Sequence, residues 1–149
     1  MKYKELQFEL LSKGRPIKTK IGTNRKIEHN QEQFKIQSNK VMVVSVKHTD
    51  FDIKYIKVKI KENFKKFVED FETFCKGKSK SKFNSYLKDD ILTLKLCDSI
   101  MVFNKDQYQI SKYEIRERDK IIVLLETSGV WVDEKSMSQV WKINQIVKL

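Results

Sequence analysis

Residues 51–76 read FDIKYIKVKIKENFKKFVEDFETFCK, and the hydrophobic period changes within them. Up to Lys61 the period is two. Ile56, Val58 and Ile60 fall on one side of an extended chain, with Tyr55, Lys57, Lys59 and Lys61 on the other. From Asn63 to Lys76 the spacing becomes three and four. Phe64, Phe67, Val68, Phe71, Phe74 and Cys75 then form one stripe of a helix, and Lys65, Lys66, Glu69, Asp70 and Glu72 occupy the rest of its surface. Asn63 is placed to cap the helix start, and Gly77 to supply a left-handed exit. A stripe of phenylalanines must lie on something apolar, so the spacing predicts a single helix packed on a sheet.

On either side of this stretch the chain reads as strands. ELQFELL (5–11) is ambiguous between a strand and a short helix. PIKTKIG (16–22) alternates cleanly, with Ile17, Thr19 and Ile21 opposite Lys18 and Lys20. QFKIQSNKVMVVSVKH (33–48) reads as one or two strands with a turn at Ser38-Asn39. Beyond the helix comes a basic loop, GKSKSK (77–82). ILTLKLCDSIMVFNKDQYQI (91–110) then predicts two or three short strands, turning at Asp98-Ser99 and at Asn104 to Asp106. RDKIIVLLETSGVWV (118–132) and QVWKINQIVKL (139–149) form a closing hairpin. The expectation is a single domain over 1–149, mainly β. It is a small partly open barrel with one packed α-helix and extra N-terminal strands.

The net charge of +11 over 149 residues concentrates polyanions near the surface. Lysine supplies all but four of the 31 basic residues and alanine is absent, the mark of AT-rich coding. That bias enriches glutamate as well, so it does not by itself account for the excess of positive charge. No apolar run reaches 18 residues, which predicts no membrane span, and the N-terminus lacks the pattern of a secretion signal. These features point to a cytoplasmic protein, with a nuclear one as the alternative. Cys75 and Cys97 have neither CxxC spacing nor a nearby histidine pair, and read as buried thiols.

Catalytic and metal-binding patterns fail on inspection. GKS at 77–79 would need a glycine at Glu72 to end a phosphate loop. His29 and His48 are isolated beside polar turns. Asp89-Asp90 and Asp133-Glu134 are adjacent pairs whose side chains diverge on an extended chain, and both read as turns. A metal-dependent nuclease on these carboxylates is the weakest reading. The sequence therefore describes a binder, with no catalytic residue, no cofactor and no metal.

A binder of single-stranded nucleic acid needs cations along the phosphates and aromatic faces for the bases, worth about 1–3 kcal/mol per stacked base. Tyr55, Lys57, Lys59 and Lys61 offer both on one strand face; the same row also suits a solvated edge that blocks aggregation. In the closing hairpin Ile121, Val123 and Leu125 share one phase, and Val130 and Val132 the other. A bulge at Gly129 keeps all five inward and turns Trp131 outward, beside the loop that carries Lys135. In the last strand Trp141, Ile143 and Val147 share the inward phase, opposed by Lys142, Asn144 and Lys148. That makes Trp141 core and Trp131 the stacking candidate.

The block from Arg118 to Leu149, with Gly129-Val130-Trp131, a polar loop, Trp141-Lys142-Ile143 and Gln145, resembles the C-terminal end of a known family. These are the OB-fold single-stranded DNA-binding proteins of large cytoplasmic DNA viruses and related cytoplasmic linear plasmids. ILTLKL resembles a strand that precedes their hairpin. The resemblance covers about a third of the chain. It implies an OB-fold and sequence-independent binding of single-stranded DNA in replication. On that reading Lys18, Lys20, Lys57, Lys59, Lys61 and Lys135 contact phosphates while Tyr55 and Trp131 stack on bases. RNA as ligand, self-association and a replication-protein partner stay open. The alternative is a small OB-type subunit of a replication or telomere complex, with the hairpin and the phenylalanine helix facing protein.

Overall fold

The computed structural model describes residues 1–49 and 52–149, so Phe51, at the head of the expected lysine-row strand, lies outside the described residues. Two 3-10 turns, Tyr3–Glu5 and Phe8–Leu10, lead into β1 (Leu11–Lys13), β2 (Ile17–Thr19), β3 (Gly22–Arg25), β4 (Ile27–His29) and β5 (Ile36–Gln37). The long hairpin of β6 (Val41–Thr49) and β7 (Asp52–Lys59) precedes the helix α1 (Glu62–Lys76). Then come β8 (Lys82–Asn84), β9 (Leu87–Lys88), β10 (Ile91–Phe103), β11 (Gln109–Ile110) and a 3-10 turn, Lys112–Glu114. The chain closes with β12 (Lys120–Thr127), β13 (Val130–Val132), β14 (Ser136–Ser138) and β15 (Trp141–Lys148).

The architecture is mainly β, as expected, and its centre is an OB-like barrel. Antiparallel pairs join β6 to β7, β7 to β10, β15 to β12 and β12 to β6, while β10 and β15 run parallel. The seam between β12 and β6 is narrow, Lys120 with Met42 and Ile121 with Val41, and β5 extends it by pairing with Leu124 and Leu125. Alternation on each long strand fills the interior: Val43, Ile56, Val58, Leu92, Leu94, Ile121, Val123, Leu125, Ile143 and Ile146 are all buried.

Besides two register shifts in the β6–β7 hairpin, two phase breaks in the barrel were not visible in the sequence. Asp98 and Ser99 do not turn the chain. They lie inside β10, one strand of 13 residues, whose register against β15 jumps from Leu96–Ile143 to Met101–Gln145. The second break shifts β15 against β12, from Leu124–Gln145 to Leu125–Ile143, and leaves Asn144 as the extra residue. Ile146 rather than Val147 therefore continues the buried set begun by Trp141 and Ile143.

The helix closes one end of the barrel. Phe71 packs against Trp141 at 4.6 Å between ring centroids, Phe67 at 6.2 Å, and Tyr3 covers Phe64 at 5.0 Å. The ambiguous segment 5–11 forms a 3-10 turn at Phe8–Leu10, which sets Phe8 against Phe67 at 5.8 Å, and passes into β1 at Leu11. The helix starts one residue early: Lys61 occupies the N-cap without a side-chain cap bond, and Asn63 lies within the first turn. Gly77 ends the helix at φ 56°, as expected.

A second sheet, ordered β2-β3-β13-β14-β8, stands beside the barrel. The stretch 16–22 is not one strand with a buried face. It is strand β2 and a turn into β3, with Ile17 51% and Ile21 78% exposed. The closing hairpin likewise divides: β12 and β15 stay in the barrel, and the tip strands β13 and β14 join the second sheet. The break is at Gly129, whose φ is +80° and where a Cβ would lie 2.7 Å from the Arg25 carbonyl oxygen. Only glycine lets the chain leave one sheet for the other so close to β3.

Candidate nucleic-acid interface

Directly paired residues in a sheet share a face, so register shows which outward side chains meet. On β7, Tyr55 pairs with Lys47 of β6 and with Lys95 of β10. Lys95 in turn pairs with Lys142 of β15. Lys47, Tyr55, Lys95 and Lys142 therefore form one row across four strands, with neighbours separated by roughly the 4.8 Å of strand spacing. Lys57 starts a second row between Ser45 and Thr93.

Above these rows lies a groove built of cavities that share walls. The first, about 640 Å³, is lined by Lys47, Tyr55, Lys57, Tyr86, Lys88 and Thr93 among others. The second, about 330 Å³, holds Tyr86 again together with Trp131, Lys95, Lys142 and Ile21. A third, about 200 Å³, shares Lys142 and Ser128 with the second and adds Glu126, Asn24 and Gln33. Tyr86 sits in the segment between β8 and β9. Its carbonyl accepts from Thr93 N–H at 3.0 Å, and its neighbour Ser85 donates to Glu72 of α1 at 2.6 Å. Burial raises the Glu72 carboxyl above its ordinary value.

The expected site residues separate into three groups and one lone lysine. Tyr55 and Lys57 face the groove, and Trp131 lines its second cavity, half-buried between Asn24 and Ser138 rather than fully exposed. The expected bulge at Gly129 is instead the point between β12 and β13 where the chain, at φ +80°, leaves the barrel for the second sheet. Lys59 and Lys61 lie around the corner, in a cavity with Asn63, Lys65, Asp89 and Asp90, where Lys59 is 3.7 Å from Asp90. Both partners of that pair are about half exposed, so it is weak. Lys20 and Lys135 stand together at the outer end of the second sheet, beside Ile21, Asp133 and Glu134. Lys18 is exposed on β2 and lines none of these cavities.

Lys47, Lys95, Lys142 and Tyr86 were missed. Alternation marked Lys142 as outward on its own strand, but nothing in the sequence placed the three lysines side by side. Tyr86 had no signal at all, being in a loop. Trp141 is core, as expected.

Three polar clusters fix the surroundings. Asp133 Oδ1 accepts from the backbone N–H groups of Lys135 and Ser136, at 2.9 and 2.8 Å, which holds its carboxyl below the usual range and makes the expected turn. Asp52, the first residue of β7 and the partner of Thr49, accepts from Lys112 at 2.6 Å and from the Tyr113 hydroxyl at 3.0 Å. These bonds, with its own Ile53 N–H, pull its pKa down to about 2. Cys97 is half-buried on the outer barrel face, and burial together with Glu126 raises its thiol pKa. Cys75 lies in the core with its thiol pushed up to about 12 by burial. Among the described residues no three His, Cys, Asp or Glu side chains are placed to share a metal ion.

Residues 29–149 match the family described as "Family of unknown function (DUF5871)", and the chain belongs to that family. No curated protein matches it in sequence. Its fold is shared with the single-stranded DNA-binding protein from bacteriophage Enc34, at a TM-score of 0.59 and 11% identity over 92% of this chain and 89% of that one. The same phage protein in complex with ssDNA aligns at 0.59 and 11% over 93% and 95% of the two chains. Its C-terminal truncation aligns at 0.59 and 11% over 92% and 94%.

Proposed function

We propose that this chain binds single-stranded DNA independently of sequence and serves DNA replication. The observation that carries the proposal is the in-register row Lys47–Tyr55–Lys95–Lys142 running beneath Tyr86 and Trp131. Lys95 and Lys142 one strand apart, with Lys47 across Tyr55 from them, suit the phosphates of one strand, and the three aromatic rings suit unstacked bases. Lys57 extends the cationic floor, and Lys20 and Lys135 continue it at the outer end of the second sheet. Lys18, Lys59 and Lys61 add field from outside the groove. The face formed by the second and third barrel strands, β7 and β10, is the one that binds oligonucleotides in OB-folds generally. The shared fold of a phage protein solved with ssDNA supports the same reading.

The alternative, a subunit that docks protein through its closing hairpin and its phenylalanine helix, loses the helix as a docking surface. The phenylalanine stripe is filled within the chain by Trp141, Tyr3 and Phe34.

The test is a titration with oligo(dT), oligo(rU) and duplex DNA at two salt concentrations, followed by tryptophan emission. Trp141 is buried, so Trp131 is the reporter, and quenching by oligo(dT) with a steep loss of affinity in salt is expected. No quenching and no mobility shift at low salt would overturn the proposal. Duplex binding as tight as single-strand binding would leave only nonspecific charge. The oligo(rU) arm sets DNA against RNA.

A further inference from the structure

One carboxylate continues the cationic row. Glu126 of β12 pairs with Lys142, so its side chain leaves the same outer face as Lys142, Lys95 and Tyr55. It lines the third cavity with Lys142 and Ser128, and it forms no ion pair among the described residues. Its Oε1 accepts from Asn144 Nδ2 at 3.1 Å and from the Cys97 thiol at 3.3 Å. Asn144 Nδ2 also reaches Cys97 Sγ, at 3.0 Å, so the three side chains hold one another in place. All three are half-buried.

Resting on the single-stranded DNA reading, we infer that Glu126 gives the groove a base preference superposed on its sequence-independent grip. A phosphate is repelled by a fixed carboxylate, so the DNA backbone follows the lysines and the edge of a base comes to Glu126. An ionised carboxylate only accepts hydrogen bonds. On the Watson–Crick edge guanine offers a ring N–H and an amino group side by side, and cytosine and adenine each offer an amino group. Thymine offers one ring N–H flanked by two carbonyl oxygens, which the carboxylate repels. The preference is guanine first, cytosine and adenine next, thymine last.

The test measures anisotropy of labelled d(T)12, d(C)12 and d(GT)6 with the full chain, its Glu126→Gln and Glu126→Asp variants, and Lys142→Ala. For the unaltered protein d(GT)6 is expected to bind roughly tenfold tighter than d(T)12, with d(C)12 between them. Removing a negative charge tightens every oligonucleotide alike and cancels in the ratio. Glu126→Gln should therefore collapse the ratio toward one, because its amide offers thymine a donor. Lys142→Ala should weaken all three equally. Equal affinities in the unaltered protein, or a ratio unchanged in Glu126→Gln, would overturn the inference while leaving DNA binding intact. The unaltered ratio needs no variant to fold. Should Glu126→Gln fail to fold, Glu126→Asp, which keeps the charge and withdraws the carboxylate, must lower the ratio. Failure of all three oligonucleotides to bind would instead bring down the underlying reading.

Discussion

The barrel and the sheet beside it are built by different means. Barrel strands run to 8, 9 and 13 residues, and their inward side chains are almost completely enclosed. The second sheet uses strands of three or four residues, and only Val130 and Met137 among them are buried. It is held mainly by backbone ladders and by the close approach of Gly129 to β3, while Val130 and Met137 join the core cluster and Phe83 and Val132 pack against it. The two regions nevertheless share one groove, with Tyr55 and the lysine row on the barrel side and Trp131 on the other. Stability therefore resides in the barrel, and the more weakly held region presents an aromatic wall to the groove.

The largest effect that sharpens this contrast is on the barrel side. Phe71→Ala should cost about 3–5 kcal/mol in chemical denaturation, because it opens a cavity against Trp141. A loss below about 1 kcal/mol would mean the helix is not part of the core. Gly129→Ala should cost about 2 kcal/mol, from strain at positive φ and the clash with Arg25. Its distinguishing sign is loss of DNA binding in protein that is still folded; an unchanged affinity would show that the second sheet does not matter to the groove. Trp131→Ala should weaken oligo(dT) binding by about 1–3 kcal/mol with little change in melting, and Trp141→Phe should do the reverse. Equal effects from the two tryptophans would erase the division of labour. Lys95→Ala should lower the magnitude of the log K versus log salt slope by about 1, whereas Lys61→Ala, outside the groove, should change it less.

The smallest expected effect is at Asp52. Its folded pKa lies below its unfolded one, so its contribution is present above pH 4 or so and is lost as pH falls toward 2. Asp52→Asn should flatten acid unfolding slightly in that window, and an identical acid profile would show that the bonds to Lys112 and Tyr113 do not brace the hairpin.

Much of the barrel was legible because its signals are local. Alternation in 51–61 and the three–four spacing in 63–76 reflect which side chains face inward on one element, a property of neighbours in the chain. The mistakes fall where a second segment intervenes. The bulges at 97–100 and at Asn144 leave the pattern of each strand plausible, and only pairing shows the shift. Ile17 and Ile21 alternate as a buried strand does, yet β2 is an edge with β3 as its partner, so the pattern has nothing to face.

The sequence by itself determined the strand-rich composition of the barrel, the one helix with its buried phenylalanine stripe, the inward phase of Trp141, and the basic character of the molecule. The tertiary structure alone decided which lysines lie side by side. Lys47, Tyr55, Lys95 and Lys142 come from positions nearly a hundred residues apart and meet because three strand registers align them, while Lys59 and Lys61, adjacent in the same alternating run, are carried around the end of the barrel beside Asp90. The reason is physical. Periodicity assigns a side chain to a face, but its neighbours on that face are set by pairing between distant segments, which burial of the whole core selects.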